Sequence, residues 1–360
     1  MRILIAGGGT GGHLFPGVAL AEEFKQRNRK NKILFVGTKK GIEKSLIPDI
    51  GYKLKTISGR GILGGGLMQK LRGSIQFLIG LFQSLMIIRT FKPDLVLGTG
   101  GYASAPIIIA ASIFNIETAI CEQNSIPGLT NRILGRVVKK VFIAFEECYP
   151  FFPPKKTFLT GNPVRREFLN MDSTLQKKKG DRFCLLVLGG SQGAHSINRA
   201  MIESLDKLNP IREKIKIIHQ TGYKDSSWVK ESYEKKNFQA KVFPFKKEIA
   251  SLYLQADLVI SRAGAITLTE LLICGKPSIL IPYPYAAYNH QEINARVLVN
   301  RGAARIILDQ DLNGSYLGDT ILNLFHQPEE IYEMANKAKT LARPEAAKKI
   351  VDHYCPNNST

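Results

Sequence analysis

The sequence predicts an α/β chain built as two Rossmann-like parallel sheets in tandem, and three observations carry that expectation. Short runs rich in Val, Ile, Leu and Phe recur with helical stretches between them, the signal of strands buried on both faces of a parallel sheet. Each half of the chain opens alike, on a buried strand running into a glycine-rich turn. The length, 360 residues, asks for about two domains at roughly 150 residues each.

Taken in order, the apolar runs of the first half are 3–6, 33–36, 54–57, 95–97, 118–121 and 141–144. The second half repeats the scheme at 184–188, 215–219, 242–245, 258–260, 278–281 and 304–308. Six and six is the count of two doubly wound sheets. Between them Asn162-Pro163 ends one unit, and residues 170–181, with Lys177-Lys178-Lys179-Gly180-Asp181, have a linker's polar composition. The boundary is therefore expected within 161–180, with a first domain over 1–160 and a second over 161–342.

Composition narrows the function classes. With 44% hydrophobic and 22% charged residues, the chain has the makeup of a folded globular protein rather than a disordered or fibrous one. Fifty Lys plus Arg against thirty Asp plus Glu leave +20, which calls for a negatively charged partner. Residues 1–160 hold 22 basic and nine acidic side chains, net +13, and the remainder carries +7. The excess is scattered over loops, and zinc spacing, ribonucleoprotein aromatics and a basic region with heptads are all missing, so no nucleic-acid partner is expected. Five cysteines, at 121, 148, 184, 274 and 355, are odd in number and widely spaced, which disfavours a disulfide framework or a zinc site. Met1-Arg2-Ile3-Leu4-Ile5-Ala6-Gly7 runs straight into a strand without a leader pattern, so a cytoplasmic chain is expected. The longest apolar runs, 75–88 and 105–116, are interrupted by polar residues and read as too short for the ~20 residues of a membrane span.

Three glycine loops carry the chemistry. Gly7-Gly8-Gly9-Thr10-Gly11-Gly12-His13 follows the first strand, Gly98-Thr99-Gly100-Gly101-Tyr102-Ala103-Ser104 follows the fourth, and Gly189-Gly190-Ser191-Gln192-Gly193-Ala194-His195 opens the second half. Glycine after a buried strand lets the backbone approach a ligand, and the next helix points its amides and dipole there, a natural phosphate cradle. The first loop matches G-x-G-x-x-G literally, so a dinucleotide oxidoreductase is weighed. Such a fold wants an acid at the end of the second strand, and Val36-Gly37-Thr38-Lys39-Lys40 supplies none. The lysines could hold a 2′-phosphate, which leaves an NADP enzyme as an alternative. No loop carries the Gly-Lys-Ser/Thr of a nucleotide-hydrolysing P-loop.

Six ordered segments resemble the MurG family of glycosyltransferases over nearly the whole chain. They are Gly8-Gly9-Thr10-Gly11-Gly12-His13, Gly100-Gly101-Tyr102-Ala103-Ser104, Glu122-Gln123-Asn124 with Gly128-Leu129-Thr130-Asn131, Gly161-Asn162-Pro163-Val164-Arg165, Gly189-Gly190-Ser191-Gln192-Gly193-Ala194, and Ser261-Arg262-Ala263-Gly264-Ala265 with Glu270. The resemblance implies a GT-B fold, two Rossmann-like domains facing across a cleft, with a C-terminal helix in 343–360 returning to the first. It implies transfer of N-acetylglucosamine from UDP-N-acetylglucosamine to undecaprenyl-pyrophosphoryl-N-acetylmuramoyl pentapeptide, with inversion to a β-1,4 link. On that resemblance the first domain takes the acceptor and the second the donor. Thr10, Gly11, Gly12, Tyr102 and Asn124 are expected to touch substrate, and Lys246 to meet uracil through its backbone. Glu270 is assigned to the ribose, Ala265, Ile266 and Thr267 to the diphosphate side, and Gln291 with Asn294 to the sugar. The chain departs from the family pattern at Cys121, usually His, at His195, usually Arg, and at Lys246, often apolar.

Sugar transfer from a nucleotide diphosphate needs a base for the attacking hydroxyl and stabilisation of the departing diphosphate. His13, at the end of the first glycine loop, is the base candidate because an unperturbed imidazole, pKa about 6.5, suits proton abstraction near neutrality. Glu122 is the second carboxylate should His13 only bind. The sole Asp-x-Asp spacing, Asp309-Gln310-Asp311, lies beyond the last strand and reads as a solvated turn, so the chemistry is expected to need no metal and no cofactor. The helix end after 189–193, with Ser191, Gln192, Gly193 and Arg165, would then carry the diphosphate charge. The rivals are another GT-B UDP-sugar transferase acting on a glycolipid, a UDP-sugar epimerase, and a non-catalytic nucleotide-sugar binding protein. Segment 70–92 places Ile75, Leu78, Ile79, Phe82, Leu85 and Met86 on one helical stripe, with Phe77, Leu81 and Ile88 off it. A helix apolar on more than one side, flanked by Lys70, Arg72, Arg89 and Lys92, can pack on the sheet and also dip into an anionic membrane surface. That reading puts the chain, as a peripheral protein, on the cytoplasmic face of the plasma membrane. Gly61 to Gly66 reads as a loop able to close over the acceptor.

Overall fold

The computed structural model describes residues 1–39, 41–59, 67–170, 182–190, 193–246 and 248–356. The chain forms two units, Met1–Arg165 with Pro344–Thr360, and Arg166–Arg343. All of the linker 170–181 but Asn170, and the whole loop Gly61 to Gly66, lie outside the described residues.

In the first unit β1 (Arg2–Ala6), β2 (Lys32–Thr38), β3 (Lys53–Ile57), β4 (Leu95–Gly98), β5 (Glu117–Glu122), β6 (Lys140–Ile143) and β7 (Thr157–Leu159) alternate with α1 (Gly11–Arg27), α2 (Glu43–Asp49), α3 (Leu67–Phe91), α4 (Ser104–Ile113) and α5 (Leu129–Val137). All pairings are parallel, in the order β3-β2-β1-β4-β5-β6-β7. Six of these strands are the expected apolar runs. The seventh, β7, is a three-residue edge, too short to show a pattern in the sequence. Side chains alternate faces along a strand, so Leu4 and Ala6 join one core while Ile3 and Ile5 join another across the sheet. Both faces being buried is why these strands read as unbroken apolar runs.

The second unit holds α6 (Arg166–Leu169), then β8 (Phe183–Leu188), α7 (His195–Glu203), α8 (Leu205–Leu208), β9 (Ile215–Gln220), α9 (Ser226–Lys235), β10 (Ala240–Phe243), α10 (Ala250–Gln255) and β11 (Leu258–Ser261). It continues with α11 (Ala265–Ile273), β12 (Ser278–Leu280), α12 (His290–Asn300), β13 (Ala304–Ile306), α13 (Gly314–His326) and α14 (Pro328–Leu341). Its six strands are parallel in the order β10-β9-β8-β11-β12-β13.

The chain then returns to the first unit through α15 (Ala346–Asp352). Ala347, Ile350 and Val351 enter the core beneath α1. Arg27 of α1 binds Asp352 Oδ1 at 2.7 Å and donates to the Cys355 carbonyl at 3.3 Å, tying the two helices together.

Helix α3 corrects one expectation. It runs 25 residues, and Arg72–Phe91, 20 residues of mean hydropathy 1.4, is by length and composition long enough to cross a membrane. Its packing decides how it is used. Gly73, Gly80, Ser84, Ile87 and Ile88 are buried and face the fold, Ile87 and Ile88 within the core shared with α4. A Cβ on Gly80 would stand 2.3 Å from the Ser58 carbonyl oxygen, so that glycine lets the helix lie against the chain after β3. The stripe read from the sequence points the other way. Leu78 and Phe82 are 63% and 65% exposed, and Ile75, Ile79 and Met86 are exposed beside them, while Leu85 leans into the core. Burial of α3 on both faces is thereby excluded.

Ile350 is fully buried, and an Ile→Ala change in such a core costs about 2–5 kcal/mol. Ile350→Ala is expected to lower the unfolding free energy from urea titration of the full chain by an amount in that range, and a value unchanged from wild type would show that α15 is not part of the first unit's core.

Candidate active site

In each sheet the strand order reverses once, between β1 and β4 and between β8 and β11. Helices leave neighbouring strands to opposite faces at that point, opening a crevice at the carboxyl ends of the strands where ligands bind. The first and second glycine loops follow β1 and β4, and the loops 189–194 and 262–264 follow β8 and β11. All four loops therefore stand at a switch point.

In the first unit the two loops touch backbone to backbone. A Cβ on Gly101 (φ +79°) would lie 2.5 Å from the Gly8 carbonyl oxygen, and one on Gly7 would lie 2.0 Å from Thr99 Oγ1. Ser104 Oγ donates to the Ala6 carbonyl at 2.8 Å and accepts from the Gly100 amide at 3.1 Å, pinning the second loop to the end of β1. Thr10 caps α1 in extended backbone and, with Gly12, is exposed. Tyr102 is 60% exposed.

His13 sits in the first turn of α1, half-buried, its ring laid on Gly100, where a Cβ would come within 2.3 Å of Nδ1. Nδ1 stands 3.4 Å from Gln123 Oε1. Gln123 donates its Nε2 to the Cys121 carbonyl at 3.0 Å, and its own carbonyl accepts from Asn162 Nδ2 at 3.1 Å. That donation turns Oε1 toward the imidazole, and an amide oxygen facing Nδ1 favours the tautomer with the proton there and the lone pair on Nε2. Gln123 is 2% exposed and was not singled out from the sequence, although it lies inside a recognised segment.

Glu122 does not suit the role of a second catalytic carboxylate. It is 2% exposed, and its oxygens accept from Asn124 N at 2.9 Å, Asn124 Nδ2 at 3.2 Å and Asn131 Nδ2 at 2.8 Å. Burial pushes its carboxyl above the usual range, against the lowering effect of these bonds and of the Gly128 amide. It holds the turn from Asn124 into α5 and keeps Asn124 half-buried beside His13's partner Gln123. Arg165 is held at the end of the first unit with its guanidinium carbon 4.6 Å from the centre of the Phe15 ring on α1. A stacked guanidinium there is a fixed cation beside the first loop.

The acid missing from the end of β2 is supplied from elsewhere. Glu43, the first residue of α2, is fully buried and accepts from the Thr38 amide at 2.8 Å and the Gly9 amide at 2.8 Å. A dinucleotide fold needs its acid presented to a ribose, and this one faces the protein, which weakens the oxidoreductase reading.

In the second unit Gly193 (φ +79°) packs on Thr221, where a Cβ would stand 2.3 Å from the carbonyl oxygen. Ser191 and Gln192 lie outside the described residues. Gln220 bridges the site: Nε2 donates to the Gly190 carbonyl and Oε1 accepts from the Lys246 amide, both at 3.1 Å. The Lys246 amide is thus engaged within the protein, which leaves its carbonyl as the backbone group for a base. Ala265, Ile266 and Thr267 form the first turn of α11. Glu270, one turn on, is 5% exposed with the Tyr253 hydroxyl 3.4 Å away, so it is not part of a solvated helix face.

Gln291 Oε1 accepts from the Ala263 amide at 3.2 Å and the Tyr283 amide at 3.0 Å, which fixes its amide at the edge of the crevice. Asn294, three residues on, is 0% exposed on the inner face of α12 with Ala295, Val297 and Leu298. Of the expected sugar-binding pair Gln291 and Asn294, Gln291 is the one presented at the crevice in this structure, with Asn294 beneath it.

The Asp-x-Asp turn is also corrected. Asp309 pairs with Arg262, whose guanidinium further donates to Ser196 Oγ at 2.9 Å and to the Ile281 and Pro282 carbonyls. This brace joins the loop after β11, the start of α7 and the loop after β13. His195 is exposed and pairs with Asp225 at 3.0 Å, which also accepts from Asn198 at 2.7 Å. Among the described residues no group of three or more His, Cys, Asp and Glu is arranged to hold a metal ion.

Two Rossmann-like units, each with glycine loops at its switch point, are the build of a two-domain glycosyltransferase. The chain matches the glycosyltransferase family 28 N-terminal domain over residues 3–143 and the family's C-terminal domain over 184–350. It is 49% identical over 354 residues, 98% of this chain and 97% of the other, to the UDP-N-acetylglucosamine–N-acetylmuramyl-(pentapeptide) pyrophosphoryl-undecaprenol N-acetylglucosamine transferase of Geotalea uraniireducens strain Rf4. The same description and identity hold for a relative in Syntrophus aciditrophicus strain SB, over 98% of this chain and 97% of that one. The crystal structure of Acinetobacter baumannii MurG superimposes with a TM-score of 0.80 at 30% identity, covering 98% of each chain. The chain belongs to the MurG family of glycosyltransferases.

Beneath the second unit's loops His219 is fully buried, bonded to Asn198 Oδ1 and the Tyr233 hydroxyl, each at 3.0 Å. Burial pushes its imidazole down to about 3. Because the folded pKa is depressed, the unfolded chain takes up a proton first as pH falls. The neutral imidazole's stability is therefore fully present above about pH 6.5 and is lost between there and about 3, at about 1.4 kcal/mol per pH unit. In urea titrations at pH 7.5 and 5, wild type should lose about 2 kcal/mol more than His219→Gln; equal losses would contradict the buried neutral imidazole.

Proposed function

We infer that the chain transfers N-acetylglucosamine from UDP-N-acetylglucosamine to the 4-hydroxyl of undecaprenyl-pyrophosphoryl-N-acetylmuramoyl pentapeptide, the lipid I to lipid II step of peptidoglycan synthesis. The observation that carries it is 49% identity along 98% of the chain to enzymes so described. The substrate's undecaprenol makes it membrane-linked. No observation favours the glycolipid, epimerase or non-catalytic alternatives.

His13 is the base of this reading. Gln123 keeps the Nδ1 proton in place, and Nε2 removes the proton of the sugar hydroxyl as it attacks the anomeric carbon. Thr10, Gly11, Gly12, Tyr102 and Asn124 bind the acceptor around it. Departing UDP needs its charge met as the glycosidic bond breaks. The first turns of α7 and α11 supply amides and the positive end of a helix dipole, joined by Ser191, Gln192, Gly193, Ala265, Ile266 and Thr267; Arg165, on the first unit, adds a cation to the substrate-binding residues. Glu270 takes the ribose, the Lys246 carbonyl the uracil, and Gln291 the donor sugar. With the charge met this way the chemistry needs no metal.

The exposed stripe of α3, with Arg72, Arg89 and Lys92 exposed on the same helix and just beyond its end, supports docking of the first unit on an anionic membrane surface. A peripheral protein on the cytoplasmic face of the plasma membrane follows from that reading.

Purified full-length protein given UDP-N-acetylglucosamine and the lipid acceptor should release UDP, and no release would refute the transferase. His13→Ala should lower kcat at least 100-fold while UDP affinity stays within about twofold. Full activity in excess chelator is expected, and complete loss would overturn the metal-free reading. Phe82→Glu should weaken sedimentation with anionic vesicles at least tenfold, while turnover of a short-chain, water-soluble acceptor is preserved. Unchanged vesicle binding would remove α3 as the docking surface.

A further inference from the structure

We propose that Glu43 is a positioning residue for the transfer reaction, its buried carboxylate setting the conformation of the first glycine loop and, through the cap of α1, the place of His13. The inference rests on the reading in which His13 serves the acceptor hydroxyl. Glu43 Oε2 accepts from the Gly9 amide at 2.8 Å, and Oε1 accepts from the Thr38 amide at 2.8 Å and from Thr38 Oγ1 at 3.1 Å. One carboxylate thus joins the loop after β1 to the end of β2.

The surroundings are cut to its shape. A Cβ on Gly8, Gly37 or Gly41 would stand 2.4, 2.5 or 1.9 Å from the Glu43 side chain. Gly9 itself is held at φ +86°. Thr10 follows directly, and its carbonyl accepts from the His13 and Leu14 amides at 3.3 and 3.2 Å. The path from carboxylate to imidazole runs along the backbone through Gly9, Thr10, Gly11 and Gly12, with no other side chain between.

The placement also divides the work of the loop. A charged acceptor already occupies the Gly9 amide, and any anion there would have to displace a buried carboxylate. The Gly9 amide is thereby taken out of ligand binding, and an anion at this loop would meet the amides at the start of α1 instead.

The test uses the full-length protein with UDP release on the lipid acceptor, and UDP affinity by calorimetry as the readout of the second unit. Glu43→Gln keeps the shape, but its single acceptor oxygen leaves an NH2 facing either Gly9 or Thr38. We expect kcat to fall at least tenfold, with KM for UDP-N-acetylglucosamine and UDP affinity within twofold of wild type, and Glu43→Asp to recover part of the loss. Gly41→Ala presses on the same carboxylate without removing it and should reproduce the kcat defect. Wild-type kcat in Glu43→Gln, or in a folded Gly41→Ala, overturns the proposal, as does a loss that Glu43→Asp does not ease and that parallels the fall in melting temperature. His13→Ala is assayed beside them. If it is inactive while Glu43→Gln is normal, Glu43 alone fails; if it turns over near-normally, the base reading fails and takes this route with it.

Discussion

Backbone must meet backbone at the two switch points, and the rest of the molecule is arranged to allow it. In the first unit the loop after β4 rests on the loop after β1 so closely that neither Gly101 nor Gly7 has room for a Cβ, and the imidazole of His13 fills the space that a side chain at Gly100 would need. In the second unit Gly193 lies against Thr221 in the same way. Bare backbone exposes amides to a ligand, but it also creates amides and carbonyls that have to be satisfied beneath the surface. The polar groups below the loops answer that need: Glu43 under the first, Glu122 under the turn into α5, and Gln220 across to Lys246.

These groups carry opposing energies. Taking a carboxylate out of water is costly, and three or four N–H donors offset that cost only when all are in place. At Glu122 burial raises the carboxyl's pKa despite the opposing bonds to Asn124 and Asn131. With its oxygens bonded to Asn124 and Asn131 and only 2% of its surface exposed, this acid is out of reach of an incoming hydroxyl and a good clamp for the loop it holds. The same distinction separates Gln291, fixed by two backbone amides and presented, from Asn294, sealed on the inner face of one helix. For these two pairs, reach to solvent rather than residue type separates the presented group from its support.

That sorting also marks what a sequence can show. Strands packed on both faces write themselves as continuous apolar runs, so twelve of the thirteen strands among the described residues are legible, and β7 escapes because three edge residues hold no period. Glycine loops are legible because no other residue fits the close approach. Glu43 escapes because it reaches the end of β2 from the next helix, five residues beyond Thr38, rather than from the strand. The partner of Asp309 is Arg262, 47 residues away, so a local reading sees only an acidic turn. On α12 helical spacing alone does not say which of two amides three residues apart faces inward.

The direction of α3 follows from the same physics. Hydrophobicity alone ranks Leu78, Phe82 and Met86 as core and Gly73, Gly80 and Ser84 as surface, whereas the structure does the reverse. Close packing explains it. A helix that must lie against the chain after β3 needs small residues at the contact, and the Gly80 position leaves no room for even a methyl group beside the Ser58 carbonyl. The large apolar side chains are then left on the outer face, where they would be a liability in water. They stand on the unit with the larger share of the positive charge, +13 over residues 1–160, and it is this coincidence of an apolar stripe with a cationic domain that the proposed docking on an anionic lipid surface rests on.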